Sequence, residues 1–327
     1  MLRLLCFFVI LAVAMIASAD VVQLSTSKFA GHYGYLRHSA GNPNPDIRYA
    51  EAISILKKIQ DGFPNEIMVR SGTTYKAAEV GQDRINELYW RSIDVLAYSS
   101  RDAGVLATIP ERIPRPIGGK LDAKTVVSQL LAALKSSSTA WDSDWKKSEM
   151  EVKSQIQVWN SVYGGHADPD LRKIAEKLGM EKSPEKVEIV VLPYSGGKEG
   201  MTLQTLDGWK VVIGAKAFDS TAFGEVVLHE ATHVLDVLNR ESSYLAKLRK
   251  ALTDAKRSPS EVDQISHVSI FLAAAERIQS REPKHKPVGE RGAFGRLPKN
   301  QVEAARAGFA KLPNQEEAVK EVLAKLG

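Results

Sequence analysis

Cysteine is nearly absent from this sequence of 327 residues. The only one, Cys6, lies within the apolar run from Leu4 to Ile16 near the amino terminus. A chain without cysteine pairs has no disulfide framework, which excludes the small secreted scaffolds that depend on several such bonds. The folded protein must therefore be stabilised by a hydrophobic core, and a chain of this length can form one.

Long hydrophobic runs are also missing beyond residue 16. The early run follows Arg3 and precedes Ala17-Ser18-Ala19, a small-residue pattern typical of signal-peptidase cleavage. We therefore predict a signal peptide over residues 1–19, cleavage after Ala19, and a secreted or periplasmic mature protein without stable membrane insertion. The alternative, an uncleaved membrane anchor, is disfavoured because the run is short for a bilayer span.

No dense charge of one sign marks the chain. Its formal net charge of +5 is distributed over 44 basic and 39 acidic residues. The most basic stretch, Arg281 to Lys299, also contains Pro283 and Pro287, which favours a solvated loop. A nucleic-acid-binding protein usually concentrates its positive charge on one surface, so we expect no nucleic acid among the partners.

Apolar spacing near 3.6 residues predicts that helices dominate the chain. Residues 20–45 contain several glycines and prolines and are expected to be irregular. Amphipathic helices are predicted after them, at 46–60, 80–100, 122–138, 142–162 and 169–179. The expected fold class is α+β and predominantly helical, with a helical region over 20–180 and a second domain over 181–327.

Short strands are predicted at the start of the second domain. Residues 187–192 form a β-rich run. Residues 201–206 and 209–213 flank Asp207-Gly208, a dipeptide that favours the tight type I′ turn of a β-hairpin. The pattern then becomes helical from Asp219, which, like the residue after it, is a good N-cap. The hairpin is therefore expected to lie directly before a helix.

The helix predicted over residues 219–240 carries the pattern His-Glu-x-x-His on its polar face. At 100° per residue, His229 and His233 lie one turn apart, where both imidazoles reach one ion. Zinc accepts imidazole nitrogen and keeps one position open for water in catalytic sites. Glu230 is rotated by about 100° from His229, so it can take a proton from that water. The alternative is a polar helix face that carries two histidines by accident.

This segment resembles the active-site region of the zincin metallopeptidases over about residues 187–280. The metzincin branch requires a glycine three residues after the second histidine and another histidine three residues later. Asp236 and Asn239 stand at those positions instead. The resemblance therefore implies the gluzincin branch, in which an acidic residue from a second helix completes the zinc site.

Four residues are candidates for the third ligand: Asp236, Glu241, His267 and Glu276. Glu276 is favoured, because its helical face is apolar or small and a carboxylate is costly to bury there unless it is paired or bound to a metal. The resemblance also implies a glutamate from a neighbouring helix. The alternative for Glu276 is an ion pair with Arg277 or Arg281.

Supporting roles are expected for three other residues. Asp236 lies one turn beyond His233, where a carboxylate can accept the second N–H of a ligand histidine. His267 lies on the opposite side of a straight helix from Glu276, so both face the site only if the helix bends or begins after Ser266. His267 or Tyr244 is then expected to stabilise the oxyanion of the substrate. Loop positions are expected for His32, His38, His166 and His285.

Together these features predict an exported zinc-dependent hydrolase, with Zn²⁺ as its cofactor and a peptide or protein as its substrate. A peptide is favoured because an edge strand can pair with an extended backbone. Two alternatives stay open. One is a non-catalytic exported binding or envelope protein on a zincin-like fold, and the other is a zinc hydrolase of a non-peptide amide.

Overall fold

The computed structural model describes residues 21–69, 72–112, 116–194, 200–215 and 219–327. The predicted signal peptide over 1–19, with its cleavage after Ala19, lies outside these ranges. Helices make up 67% of the described residues and a small sheet accompanies them, which confirms the predominantly helical α+β class. No helix in the described ranges has the length and apolar character needed to cross a membrane.

The described chain begins with strand β1 (Val22–Ser25) and helix α1 (Lys28–Ala40), where the sequence predicted irregular structure. Ser27 caps α1, because its hydroxyl accepts a hydrogen bond from the Ala30 amide at 3.1 Å. Gly31 does not break this helix. A Cβ atom there would lie 2.9 Å from the Trp145 ring, so glycine lets the helix pack closely.

The next helices follow the order that the apolar spacing predicted. Their bounds, with those of a small hairpin between them, are α2 (Ala50–Asp61), β2 (Glu66–Met68), β3 (Thr74–Lys76), α3 (Ala77–Val80), α4 (Gln82–Tyr98), α5 (Ala103–Arg112), α6 (Ala123–Ser136), α7 (Ser138–Trp159) and α8 (Gly165–Leu178). A π-helical turn over residues 160–164 joins α7 to α8. The five helices predicted between residues 46 and 179 are therefore confirmed.

A four-stranded sheet has the order β1-β4-β6-β5. Its later strands are β4 (Val187–Leu192), β5 (Gly200–Thr205) and β6 (Gly208–Gly214). Strands β1 and β6 both run parallel to β4, whereas β5 runs antiparallel to β6 and forms an edge of the sheet. The predicted hairpin is confirmed, but its turn is formed by Leu206 and Asp207. Gly208 opens β6 with a φ of 122°.

The sheet separates two hydrophobic cores. Ile189 and Val191 of β4 pack into one core, and Val190 and Leu192 pack into the other, as alternation along a strand requires. The first core holds α8 and the helices that follow the sheet, whereas the second holds α1 to α6. Strand β1 and helix α8 thus pack in the same core as the helices that follow the sheet. The division of the chain near residue 180 stays a prediction.

Five helices follow the sheet. They are α9 (Ser220–Leu238), α10 (Tyr244–Asp254), α11 (Pro259–Gln279), α12 (Lys299–Phe309) and α13 (Gln315–Leu326). The Asp219 carboxylate caps α9 as predicted, since it accepts from the Ala222 amide at 2.8 Å. Ser258 and Glu261 form a capping box that starts α11. Helices α9 and α11 pack against each other, which brings residues far apart in sequence to one place.

The basic stretch from Arg281 to Lys299, which follows α11, contacts α9 and is not fully solvated. It contains two 3-10 turns, over residues 288–291 and 294–296. His285, expected in a loop, is buried with its Nε2 2.6 Å from the Oε2 atom of Glu225. The same carboxylate oxygen accepts from the Val288 amide at 2.9 Å. Arg291 also pairs with Asp219 at the start of α9.

The other histidines expected in loops lie on helices. His32 and His38 belong to α1, and His166 belongs to α8. His32 is buried, stacks on Trp141 with ring centroids 5.3 Å apart, and has its Nε2 2.8 Å from the Ser137 hydroxyl. On α1, a Cβ atom on Gly31 or Gly34 would meet Trp145 or the Tyr194 carbonyl, so the glycines beside His32 allow close packing of this helix.

Candidate metal centre

Helix α9 brings two imidazoles to one point. The Nε2 atoms of His229 and His233 lie 3.1 Å apart, as one helical turn allows. Val227 and Val234 on the opposite face are fully buried and fix the rotation of the helix. His229 is 3% exposed, whereas His233 is half-buried. The pair therefore lies at the boundary between the core and the solvent.

A third imidazole comes from α11. The Nε2 atom of His267 lies 3.0 Å from that of His229, and the ligand atoms of all three histidines lie within 4.8 Å of one another. Zinc–nitrogen bonds of about 2.0–2.1 Å place the nitrogens of a tetrahedral site roughly 3.3 Å apart. The two Nε2 separations from His229, 3.1 and 3.0 Å, are close to that spacing. His267 is exposed, so the centre opens to solvent on that side.

Glu276, the favoured third ligand, does not belong to this cluster. Its Oε2 accepts from Lys177 Nζ at 2.5 Å and its Oε1 accepts from Arg277 at 2.9 Å. The reason is helical geometry. Helix α11 runs uninterrupted through both residues, and a separation of nine places Glu276 on the opposite side from His267. The structure thus places His267, rather than Glu276, with His229 and His233, and Glu276 forms ion pairs instead.

Burial keeps the three imidazoles neutral. It holds the pKa of His229 well below its usual value and lowers the pKa of His233 to about 3, and neighbouring imidazoles contribute to both shifts. The pKa of His267 is lowered first by burial of its ring and second by the nearby Arg249 guanidinium. Neutral imidazoles keep the lone pairs that metal binding requires. The protonation state therefore suits a metal site.

Phe271 closes the inner side of the centre. It lies one turn after His267 on α11, and its ring centroid is 3.9 Å from that of His229 and 4.9 Å from that of His267. Phe294 packs behind it with centroids 5.7 Å apart. An apolar wall of this kind limits the access of water and fixes the orientation of the ligand rings.

Glu230 is held against the edge strand β5. The Thr202 hydroxyl donates to the Oε2 atom of Glu230 at 2.6 Å. A Cβ atom on Gly200 would lie 2.6 Å from the Oε1 atom of the same carboxylate, so the strand approaches it closely because residue 200 is a glycine. The side chain next to His229 is therefore fixed in position by β5.

Asp236 is paired elsewhere. Its two carboxylate oxygens accept from the guanidinium of Arg249 at 2.8 and 2.5 Å in a bidentate ion pair. The Nδ1 atom of His229 is buried without a hydrogen-bond partner among the described residues. The expected role of Asp236, accepting the second N–H of a ligand histidine, is therefore replaced by the positioning of Arg249 next to the centre.

Tyr244 lies in the core rather than at the centre. Its side chain is fully buried, and a Cβ atom on Gly308 of α12 would lie 3.2 Å from its hydroxyl. Burial raises the pKa of Tyr244 to about 12. The hydroxyl thus faces α12, and the structure does not bring Tyr244 to the three histidines.

Sequence reasoning missed the residues of β5 that surround Glu230. Alternation along a strand places Gly200, Thr202 and Gln204 on one side, and Met201 and Leu203 of the other side are buried. This alternation was a usable signal for a polar face toward the following helix. Phe271 gave no signal, because its contact with His229 depends on how α9 and α11 pack.

Comparison of the chain with protein-family models, with characterised proteins and with solved structures found no match. The resemblance to zincins therefore rests on the sequence motif alone.

Proposed function

We propose that this protein is a zinc-dependent peptidase, in which His229, His233 and His267 bind the ion and Glu230 is the general base. One observation carries the proposal. Three neutral imidazole nitrogens from two helices converge beside a carboxylate that an edge strand holds in place. The ligand set differs from that of the gluzincins, because a histidine stands where the resemblance implied a glutamate.

The residues present fit zinc better than a hard cation. Imidazole nitrogen suits zinc, whereas Mg²⁺ and Ca²⁺ prefer the oxygen of carboxylates and carbonyls. The nearest carboxylates in the described ranges are engaged, Asp236 with Arg249 and Glu230 with Thr202. Three protein ligands leave one position of a tetrahedral site open, as catalytic zinc requires. The exposed side of His267 supports access to that position.

Zinc, when bound there, supplies a Lewis acid that polarises a carbonyl and acidifies water. Glu230 accepts the proton of the attacking water and can return it to the leaving amine. Two contacts position the Glu230 carboxylate. The Thr202 hydroxyl fixes one carboxylate oxygen, and Gly200 leaves room for the other. Phe271 places an apolar ring against His229 on the other side.

A peptide is the proposed substrate because of strand β5. This strand forms the edge of the sheet next to Glu230, and an edge strand offers main-chain groups to an extended backbone. We also propose export by the amino-terminal segment, on the basis of its apolar run and of Ala17-Ser18-Ala19.

The proposal is tested by metal content and hydrolysis. Wild type, loaded with zinc and desalted, should contain about one zinc ion per chain by elemental analysis. His267→Ala should lose most of it, whereas Glu276→Gln, a matched change on the same helix, should retain it. Wild type should cleave a mixed peptide library, and cleavage should stop when a chelator removes the metal.

Other results lead to different conclusions. Zinc bound equally by wild type and His267→Ala would refute the ligand set. Zinc binding without cleavage of any peptide would favour a non-catalytic binding protein. Cleavage of peptidoglycan but not of peptides or proteins would favour a hydrolase of non-peptide amides.

A further inference from the structure

Arg91 of helix α4 reaches across to the edge strand beside the metal centre. Its Nη2 atom donates to the main-chain carbonyl of Thr202 at 3.2 Å. The side chain of the same threonine bonds to Glu230. Thr202 therefore links a guanidinium on one side to the proposed general base on the other.

The guanidinium of Arg91 lies at the strand residue that contacts the proposed general base. Thr202 accepts from Arg91 through its carbonyl and donates to Glu230 through its hydroxyl. Arg91 itself is exposed. The cation is thus near Glu230 and open to an arriving molecule.

The other arginines nearby are neutralised. Arg249 forms a bidentate pair with Asp236, and Arg84, on the same helix as Arg91, pairs with Glu87 at 2.8 Å. Within the described ranges, Arg91 forms no ion pair with a carboxylate and makes one hydrogen bond to a neutral carbonyl. A guanidinium has five N–H donors in a planar fork, so Arg91 retains donors for a bidentate acceptor.

The position of Arg91 also limits how a backbone can lie on β5. A peptide that adds to this edge meets the guanidinium at Thr202, close to Glu230. The guanidinium already occupies one lone pair of this carbonyl, so it competes there with a backbone N–H that would pair with the strand. A chain that ends at this point would present its terminal carboxylate to a cation with free donors.

We propose that Arg91 is a specificity-determining residue that binds the C-terminal carboxylate of the substrate. This inference rests on the proposed peptidase function and gives it a substrate class: peptides with a free C-terminus a few residues from the cleaved bond. The enzyme would then remove short C-terminal fragments. An acidic side chain offers the same carboxylate chemistry, so the test separates the two sources.

The test measures binding on a catalytically silent protein. Immobilised, zinc-loaded Glu230→Gln is incubated with pools of N-acetylated tetrapeptides of mixed sequence, one pool as C-terminal acids and one as C-terminal amides. Bound peptides are quantified by mass spectrometry. We expect acids to bind about 10- to 100-fold more tightly than amides, as a charge-assisted bidentate contact allows. Amides that carry an internal Asp or Glu should bind like other amides.

The matched variants are Arg91→Gln and Arg84→Gln in the same background. Arg91→Gln should abolish the preference for acids and leave the binding of amides within about twofold, whereas Arg84→Gln should keep the preference. Arg91→Lys should retain part of it, because it keeps the charge without the planar fork.

Three results would overturn the assignment of Arg91. The first is equal binding of acids and amides. The second is that amides with acidic side chains bind as tightly as acids. The third is that Arg91→Gln weakens the binding of both pools alike and lowers the melting temperature. Wild-type hydrolysis of the same pools separates the two proposals. Cleavage without a preference for acids refutes only the role of Arg91, and a preference without cleavage refutes only the peptidase. If neither pool binds, both proposals fail.

Discussion

Helix α9 contributes to two side-chain clusters that contain histidine, and the clusters differ in the groups that the imidazoles contact. In the first, the Nε2 atom of His229 faces the Nε2 atoms of His233 and His267 at 3.1 and 3.0 Å. In the second, one turn earlier on the helix, Glu225 faces His285 with 2.6 Å between Oε2 and Nε2. His229 and the second pair are buried, but in the first cluster the imidazoles contact one another, whereas in the second a carboxylate contacts the imidazole.

This difference separates a ligand from a structural histidine. An imidazole beside a carboxylate has an acceptor for its N–H, so the contact between Nε2 of His285 and Oε2 of Glu225 needs no ion. Three neutral imidazoles whose Nε2 atoms meet cannot all pair with one another, since one N–H···N hydrogen bond joins only two of them, whereas a cation could bind all three. The partner of the ring nitrogen, rather than burial alone, is therefore the basis on which we propose metal ligands.

The largest expected effect is a contrast between two histidine variants, of which one loses zinc and the other loses stability. His267→Ala should lose zinc while the metal-free protein keeps its free energy of unfolding within about 1 kcal/mol, since the residue is exposed. His285→Ala should keep zinc but lose about 3 kcal/mol of unfolding free energy, because Glu225 stays buried with one remaining donor, the Val288 amide. Elemental analysis and denaturant unfolding measure the two quantities. Loss of zinc in folded His285→Ala would break the comparison.

A pair of glutamates on α9 gives the next effect. Glu230→Gln should reduce kcat for peptide hydrolysis by about 10²- to 10⁴-fold with zinc retained, because the general base is lost. Glu225→Gln should leave kcat per zinc-loaded molecule within about twofold and lower the unfolding free energy by about 1–3 kcal/mol. Kinetics normalised to zinc content, with melting curves of both variants, decide the matter. Equal losses of kcat would show that the clusters act together.

The smallest effect is the dependence of stability on pH. Unfolded histidine takes up a proton near pH 6.5, whereas His233 in the folded protein does so only at about 3. The unfolded state binds more protons between these values, so stability falls with acid by about 1.4 kcal/mol per pH unit for His233. Burial raises the pKa of Glu225, which gives that cluster the opposite sign.

Denaturant unfolding of the metal-free protein between pH 7 and pH 5 measures this slope. His233→Gln should flatten it by about the contribution of one histidine. A slope that is unchanged in this variant would mean that His233 is protonated normally in the folded protein.

Local pattern was sufficient for the half of the site that lies on one helix. The spacing of His229 and His233 and the apolar face behind them are properties of α9 alone, and the structure brings the two imidazoles together as expected. The third ligand depends on packing between helices. The choice between His267 and Glu276 is set by which side of α11 faces α9, and apolar spacing on α11 is too uniform to show it.

The amino-terminal residues show a second limit. Glycines and prolines over residues 20–45 indicated irregular structure, but β1 gains its hydrogen bonds from β4, and Gly31 is needed beside Trp145. Both partners lie far along the chain, so no local window contains them. The helices between residues 46 and 179 were predictable because each has its own apolar stripe.

Strand β1 has a consequence for how the molecule is assembled. Val22 pairs in parallel with Val187, so the first strand to leave the ribosome must wait for more than half of the polypeptide before its neighbour is synthesised. Contacts between such distant segments slow folding, because a long loop must close first. Until it closes, β4 exposes one side of its backbone to any other extended segment. Productive folding of this protein therefore depends on keeping its earliest residues available until late in synthesis.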